Sequence, residues 1–269
     1  MYSEELAQRA ADNLEKIRER KPLIHNITNY VVMNTTANAL LACGASPVMA
    51  HAAEEVEEMV SFAGALVLNI GTLTPPWVES MVRAGKRANE LDVPIVLDPV
   101  GSGATALRTL SARRLIDELK ITVVRGNASE VLSLAHEGSH TKGVDAVHSV
   151  DEASDAAIQL ANELNTTLVI TGEVDLVTDG TRIHLIYNGH PLMGYVTGTG
   201  CMATTMIGAF MAVDQDPVNG ASTALAYYGL AGEKAAAKAE GPGTFQALLF
   251  DALYALDGKA VKQGVKIRT

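Results

Sequence analysis

The stretch Ala65-Leu66-Val67-Leu68-Asn69-Ile70-Gly71 is apolar without interruption until it reaches Asn69. A short run with no alternation of polar and apolar residues is typical of a strand buried on both faces of a parallel sheet. Its polar side chain, Asn69, stands close to where the strand must stop. The stretch therefore predicts an α/β protein whose central sheet is covered by helices on both faces.

The same combination of apolar strand and following helix recurs along the chain. Further strands are predicted at residues 22–30, where the strand ends in polar residues, and at 46–50, 94–101, 121–124 and 167–170. Helices are predicted at 3–20, 31–43, 75–91, 110–119 and 150–164. Such alternation implies right-handed crossovers and a mainly parallel sheet. Because no linker, repeat or low-complexity segment interrupts the pattern, we expect a single domain over residues 1–269. From Cys201 to about residue 258 the chain is predicted to be almost all helical.

Three local signals refine this prediction. Thr28 or Asn29 is expected to cap the helix at 31–43, because short polar side chains accept hydrogen bonds from the first helical amides. Gly44 is expected to end that helix in a left-handed conformation. Asp179-Gly180 predicts a two-residue turn that joins strands 174–178 and 182–187 into a hairpin.

Composition and charge exclude several classes of protein. The 269 residues carry a net charge of −10, so a phosphate backbone or an anionic membrane surface would be repelled. No apolar run is long enough to cross a bilayer. The two cysteines, Cys43 and Cys201, give no disulfide framework. We expect a cytoplasmic protein without a nucleic-acid or membrane partner.

Polar side chains gather where the predicted strands end. In an open α/β sheet, ligands bind at the carboxyl ends of the strands, so these residues are candidates for a site. They are Asn26, Asn69, Asp98, Arg125, Asn127, Glu130 and Thr171.

Asp98 and Glu130 are the two carboxylates of this set. Taken singly, Asp98 can cap the turn at Pro99, and Glu130 can be an ordinary acidic residue in the first turn of a helix. Taken together, they form the pair of carboxylates that Mg²⁺ uses when it is bound to a nucleotide. The sequence therefore predicts a magnesium site that involves both residues.

The stretch Thr197-Gly198-Thr199-Gly200-Cys201 precedes a run of small apolar residues with helical character. The first amides of a helix lack partners, and glycine lets a ligand come close, so the stretch predicts an anion site. A tight turn is the simpler alternative. Cys201 is either a small buried hydrophobe or a reactive thiol, because a helix start lowers a thiol's pKa. In the second case Cys201 acts as a base or a nucleophile.

Other strand-end residues have two interpretations each. Arg125 either reaches solvent or bridges transferring phosphates. Thr171 with Gly172 either holds a phosphate or makes a plain turn. Met49 either packs in the core or lines the pocket of a small aromatic ligand. The histidines show no spacing that favours zinc. The segment 138–150, rich in His, Gly, Ser and Lys, either moves freely or packs on a nucleotide.

Six segments in order resemble one enzyme family over nearly the whole chain. They read PLIHNITNYV at 22–31, GASPVMA at 44–50, LDPVG at 97–101, RGNASE at 125–130, ITG at 170–172 and TGTGC at 197–201. This series resembles hydroxyethylthiazole kinase, of the ribokinase-like superfamily. The resemblance implies a three-layer ribokinase-like fold, a homotrimer, and ATP- and Mg²⁺-dependent phosphorylation of 4-methyl-5-(2-hydroxyethyl)thiazole.

The resemblance also implies a role for each matching position. Thiazole would lie near the backbone of Met49, near Gly198 and near Asn29. ATP would be contacted by Arg125 and Thr171 and by the anion hole from Thr197 to Gly200, and the metal would lie near Asp98 and Glu130. Cys201 would be the catalytic residue, where most ribokinase-like enzymes have aspartate.

Three other functions stay open at this level. A kinase of hydroxymethylpyrimidine, pyridoxal or a sugar would share the fold and the glycine loop. An ADP- or ATP-dependent NAD(P)H-hydrate dehydratase, which is a lyase, would also share the fold. A cysteine hydrolase would use Cys201 with a histidine, although no family signature of that kind accompanies the residue.

Overall fold

A computed structural model describes residues 2–135 and 150–269. Its strands are β1 (Leu23–Ile27), β2 (Ser46–Val48), β3 (Ala65–Asn69), β4 (Ile95–Asp98), β5 (Val123–Asn127), β6 (Thr167–Thr171), β7 (Asp175–Thr178), β8 (Ile183–Ile186) and β9 (Ile267–Arg268). They form one sheet in the order β2-β1-β3-β4-β5-β6-β7-β8-β9. The strands from β2 to β6 in this order are parallel, and β7, β8 and β9 pair antiparallel.

Helices cover both faces of this sheet. They are α1 (Tyr2–Arg20), α2 (Met33–Cys43), α3 (Val56–Val60), α4 (Pro75–Glu90), α5 (Ala106–Glu118), α6 (Ala128–Leu132), α7 (Val150–Leu164), α8 (Thr199–Met211), α9 (Pro217–Ala236), α10 (Pro242–Ala255) and α11 (Gly258–Gly264). None of these helices is both long and apolar enough to cross a membrane.

Strand β3 shows why the sheet is covered on both sides. Its five residues are all buried, and successive side chains point to opposite faces. Ala65 and Val67 belong to an apolar cluster that includes residues of α1, α2, α8, α9 and α10. Leu66 and Leu68 belong to a second cluster that includes residues of α3, α4, α5 and α7. The predicted α/β fold with helices on both faces is confirmed.

The strand register brings the polar strand ends together. Asn69 of β3 lies opposite Asp98 of β4, and Asn127 of β5 lies opposite Thr171 of β6. Parallel pairing places all these carboxyl ends along one edge of the sheet. The predicted concentration of polar side chains at that edge is therefore a consequence of register.

Two local predictions are wrong. Helix α2 begins at Met33, and its N-cap residue, Val32, provides no side-chain cap. Asn29 is not the cap because its Oδ1 accepts from the amide of Val31, before the helix begins, and its Nδ2 donates to Asn69 across the site. Strand β5 extends to Asn127, so Arg125 lies inside the strand rather than at its end, paired in register with Val169.

The hairpin of β7 and β8 is present, but its turn is longer than predicted. Thr178 pairs with Ile183, so four residues separate the strands, and only Gly180 among them has a positive φ. The side chain of Asp179 accepts hydrogen bonds from the amides of Thr181 and Arg182, which stabilises the longer turn. Gly44 does end α2 in the left-handed conformation, as predicted, with φ 105°. In the segment 138–150, only Val150, the first residue of α7, is among the described residues.

The packing of α8 on the sheet generates a prediction. A Cβ atom on Gly208 would lie 2.7 Å from Cγ2 of Val67. Because that methyl group is stiff and buried, we expect Gly208→Ala to lower the free energy of unfolding by about 1–3 kcal/mol despite the better helix propensity of alanine. Urea unfolding measures the change.

The matched control is Gly243→Ala in α10, where no atom lies within 4 Å of the added Cβ. That variant should be neutral or more stable by up to about 1 kcal/mol. Equal effects of the two substitutions would contradict close packing of α8 on β3.

Candidate active site

Asn69 is the centre of the polar edge. Its Nδ2 donates to Oδ2 of Asp98 at 2.9 Å and lies 3.2 Å from Sγ of Cys201. Its Oδ1 accepts from Nδ2 of Asn29 at 2.8 Å and from the amide of Gly71 at 3.0 Å. A single amide therefore connects β3, β4, the segment after β1 and the start of α8.

Asp98 is a carboxylate that is almost fully buried, with 1% of its surface exposed. Oδ2 also accepts from the hydroxyl of Thr204 at 2.7 Å and lies 3.8 Å from Nη1 of Arg125. Burial raises the pKa of Asp98 to about 6, and the Arg125 charge and the hydrogen bonds from Thr204 and Asn69 oppose that rise. The carboxyl group is held in a poorly solvated place where a cation is favoured.

Arg125 reaches from the middle of β5 towards this carboxylate. Its Nη2 donates to Oγ1 of Thr171 at 2.6 Å. Its Nε is buried and, among residues 2–135 and 150–269, has no hydrogen-bond partner. A Cβ atom on Gly200 would lie 2.8 Å from Nη1, so glycine allows the start of α8 to approach the guanidinium. The arrangement offers positive charge next to open helical amides.

The start of α8 has the geometry of an anion site. Gly198 is its N-cap residue, with a φ of 88° that favours glycine. The amides of Gly200 and Cys201 have no hydrogen-bond acceptor in the described ranges. Around them, the hydroxyl of Thr199 donates to Met193 O at 2.7 Å, and the hydroxyl of Tyr228 donates to Thr199 O at 3.0 Å. The loop is therefore fixed while its amides stay available.

Cys201 is not the low-pKa thiol that its position in the helix predicts. Burial raises its pKa to about 11, the negative charge of Asp98 adds to the rise, and hydrogen bonding from Asn69 lowers it. Of the two interpretations that the sequence leaves open, the raised pKa favours a buried thiol over a ready thiolate. Cys201 is instead a protonated thiol that lies within reach of two amide donors, since Nδ2 of Asn29 is 3.6 Å from Sγ.

Glu130 has a clear structural role. Its Oε2 accepts from the amide of Asn127 at 2.9 Å, and the Asn127 side chain accepts from the amide of Glu130, which makes a capping box at the start of α6. Its Oε1 accepts from the amide of Gly101 at 2.8 Å, just after Asp98. Each oxygen keeps an unused lone pair, so the side chain can also face a cation.

The carboxylates fit the way magnesium is bound with a nucleotide. No group of three or more His, Cys, Asp or Glu that could hold a metal occurs in the described chain. Mg²⁺ commonly needs only one or two carboxylates, because phosphates and water complete its coordination. The hydrogen bonds to Asp98 go to Oδ2, which leaves Oδ1 for a ligand.

Two of the residues named for the thiazole, Asn29 and Gly198, lie close to this centre. Asn29 contacts Asn69 directly, and a Cβ on Gly198 would lie 2.9 Å from Val32, three residues after Asn29. Met49 follows β2 and is half-buried. Within residues 2–135 and 150–269 it forms no hydrogen bond with the polar centre. Thr197 precedes the Gly198 cap, and its side chain forms no hydrogen bond in the same part of the chain.

The sequence pattern marks Asn69 only as a strand-end residue, and it places Thr204 in the stretch after the glycine loop without giving it a role. The signal for Thr204 was its position three residues after Cys201, because residues at that spacing share a helix face. The signal for Asn69 was a lone amide at the end of an apolar strand. Neither signal tells which partner the side chain meets, since both partners are distant in sequence.

The fold is shared with solved structures of much lower sequence identity. The fold of this protein resembles the structure of a pyridoxal kinase from Staphylococcus aureus in complex with ADP, with a TM-score of 0.60 over 77% of this chain and 86% of that one. At 18% identity this likeness concerns the fold alone. The same fold is found in a ribokinase-like superfamily protein from Enterococcus faecalis, with a TM-score of 0.63 and 15% identity over 90% of this chain and 93% of that one. The helix start at the strand ends is where such a fold binds an anionic ligand.

Comparison with more similar proteins is more specific. The model of the hydroxyethylthiazole kinase family matches residues 14–259. A hydroxyethylthiazole kinase of Desulfotalea psychrophila is 62% identical, over 96% of this chain and 95% of its own. The structure of a hydroxyethylthiazole kinase protein from Pyrococcus horikoshii OT3 has a TM-score of 0.89 and 48% identity, and the match covers 96% of this chain and 98% of that one. The chain belongs to the hydroxyethylthiazole kinase family.

The raised pKa of Cys201 gives a prediction about alkylation. With a pKa of about 11, roughly one thiol in a thousand is ionised at pH 8, and the thiolate is the species that reacts. We expect the rate of iodoacetamide modification to rise about tenfold for each pH unit between 7 and 9. Mass spectrometry of the labelled protein follows the rate.

The Cys43→Ala variant isolates the reaction of Cys201. Cys43 is fully buried, and burial raises its pKa to about 12, so removing it should leave the labelling curve unchanged. A rate that reaches a plateau below pH 8 would mean that the thiol is already ionised there.

Proposed function

We propose that this protein transfers the γ-phosphoryl group of ATP to the hydroxyl of 4-methyl-5-(2-hydroxyethyl)thiazole and yields the monophosphate used in thiamine biosynthesis and salvage. One observation carries the proposal: Cys201, the open amides at the start of α8 and the Arg125 guanidinium meet at one edge of the sheet. Membership of the hydroxyethylthiazole kinase family supports the same reaction.

The nucleotide phosphates lie, in this proposal, between α8 and β5. The amides of Gly200 and Cys201 donate to phosphate oxygens, and the positive end of the helix favours their charge. Arg125 neutralises charge on the transferring group, and its unpartnered Nε supplies a further donor. Thr171 orients the guanidinium through its hydroxyl, and Thr197 and Gly200 complete the loop around the phosphates.

The acceptor alcohol lies on the other side of Cys201. The thiazole packs against the backbone of Met49 and near Gly198 and Asn29, and Asn29 donates to Asn69 of the polar centre. The hydroxyl of the thiazole alcohol points to Sγ of Cys201, where the side-chain N–H groups of Asn69 and Asn29 converge. This arrangement places the hydroxyl oxygen for in-line attack on the γ-phosphorus.

Cys201 is the proposed base. Cys201 acts in its thiolate form, after its own proton has passed to solvent. As the bond from the hydroxyl oxygen to phosphorus forms and the bond from phosphorus to the leaving oxygen of ADP breaks, the hydroxyl proton passes to the Sγ thiolate. Because the thiol has a pKa of about 11, the thiolate is scarce at neutral pH. Alignment and charge neutralisation therefore contribute more to the rate than proton removal does.

Asp98 and Glu130 are the proposed residues for Mg²⁺. Asp98 offers Oδ1 directly, and Glu130 lies near Gly101 at the end of the neighbouring loop. The bound ion would neutralise negative charge on the β- and γ-phosphates. The buried position of Asp98 makes this carboxylate depend on nearby positive charge, which Arg125 supplies in part.

A homotrimer with sites near the subunit interfaces is the proposed assembly. Tyr30 and Val31 support it, because these apolar side chains are 61% and 65% exposed and directly follow Asn29. Adjacent exposed apolar residues next to a ligand site are typical of a surface that a partner covers. The free thiols of Cys43 and Cys201 support a reducing compartment, for which we propose the cytoplasm.

Replacing Cys201 tests the base. We expect Cys201→Ala to lower kcat by about 10- to 100-fold, at or below the lower end of the range for general-base catalysis, with little change in KM for the thiazole alcohol. Cys201→Asp should keep or raise activity, since a carboxylate is ionised at neutral pH. ATP-dependent phosphorylation is measured with the thiazole alcohol, hydroxymethylpyrimidine and pyridoxal.

Cys43→Ala is the control for loss of a thiol outside the site and should retain wild-type rates. Full activity in Cys201→Ala would remove the base from the mechanism. Preference for another alcohol over the thiazole in the wild-type protein would contradict the proposed substrate.

The magnesium site is tested by Asp98→Asn and Glu130→Gln. We expect each substitution to raise the Mg²⁺ concentration for half-maximal activity by about tenfold. Glutamine at position 130 keeps the capping box possible, so α6 should stay folded. Glu90→Gln, an exposed partner of Arg87, is the control. Unchanged magnesium titrations of both site variants would contradict the assignment.

A further inference from the structure

The chain from Met49 to His51 is held by imidazole rings instead of strand pairing. Strand β2 ends at Val48. The next backbone hydrogen bonds along the chain start at Ala52, whose carbonyl accepts from the amides of Glu55 and Val56. Nε2 of His25 is 2.7 Å from Ala50 O, and Nδ1 of His51 is 3.2 Å from Met49 O. A carbonyl only accepts, so both rings donate.

His25 is well placed to fix this segment. It lies on β1, in register with Val48, and its side chain has no exposed surface. Burial lowers the pKa of His25, so the ring is neutral and carries its proton on Nε2. Its Nδ1 is buried without a partner in the described residues, so the contact with Ala50 is the one hydrogen bond that fixes the ring there.

His51 connects the segment to the other side of the proposed thiazole site. Its ring stacks on Trp77 with centroids 4.1 Å apart. Trp77 is buried in the first turn of α4, and its ring lies 4.9 Å from that of Tyr30, which directly follows Asn29. The two segments proposed to contact the thiazole are thus joined through three aromatic rings.

We infer that His25 and His51 are positioning residues that hold the Met49 backbone in the conformation that binds the thiazole alcohol. The inference rests on the proposed function and adds a specificity device to it. Among the described residues the rings contact none that is assigned to the phosphates, so their effect should be confined to the acceptor. Rigid placement of a binding segment favours affinity because less freedom is lost on binding.

Variants that remove one donor at a time test this inference. His25→Leu removes the bond to Ala50, and His51→Phe keeps a ring for Trp77 but removes the bond to Met49. We expect each to raise KM for the thiazole alcohol about tenfold, as for loss of a hydrogen bond that fixes a site. KM for ATP and kcat should change by less than about twofold. His25→Gln, which keeps an N–H donor, should restore most of the affinity.

Binding is measured separately from turnover. Trp77 is the single tryptophan of the sequence, so its fluorescence reports titration with the thiazole alcohol in the absence of ATP. The dissociation constants should follow the changes in KM. His184→Gln is the matched control, because His184 is a buried histidine on β8, beside Ser222 and away from the site. It should leave KM for the thiazole unchanged.

The outcomes separate the two proposals. An active wild-type enzyme whose thiazole affinity is unchanged in folded His25→Gln, His25→Leu and His51→Phe would overturn the positioning role alone. Equal losses towards ATP and the thiazole would do the same, because they indicate general damage. A wild-type protein that phosphorylates no thiazole alcohol would overturn the proposed function itself.

Discussion

The burial of the Asp98 carboxylate is the constraint on which the site depends. A carboxylate out of water is unfavourable unless hydrogen bonds and opposite charge compensate it. Here the compensation comes from Asn69 on β3, Arg125 on β5 and Thr204 on α8. Since these groups come from three separate elements, the strand register and the docking of α8 must both be correct before the carboxylate is stabilised. The pKa of Asp98, raised to about 6, shows that these groups do not fully offset the cost of burying the carboxylate.

A buried Asp98 carboxylate whose charge is only partly offset is useful at a site for phosphoryl transfer. A buried carboxylate with a free oxygen favours a cation, and the neighbouring amides of α8 favour an anion. Arg125 lies between the carboxylate and these amides, because it contacts Asp98 and closely approaches Gly200. Such fixed charges and dipoles stabilise charge without reorganisation during the reaction.

The thiol illustrates how two local effects compete. The start of a helix lowers a thiol's pKa, and burial beside a carboxylate raises it. At Cys201 burial dominates, with the charge of Asp98 added to it. A first-turn position is therefore insufficient evidence for a reactive cysteine, because the neighbours in space decide its ionisation. The two amides at Sγ nevertheless give the residue a defined orientation.

The sequence by itself determined the α/β class, the polar edge and the family. Periodicity and runs of apolar residues are local, so β3 and its cover on both faces were readable from residues 65–71. Only the tertiary structure decided that Asn29 binds Asn69 instead of capping α2, that Arg125 lies inside β5, and that Cys201 is protonated. The physical reason is that hydrogen-bond partners and desolvation come from residues distant in the chain. Strand order and register bring them together, and no local pattern encodes either.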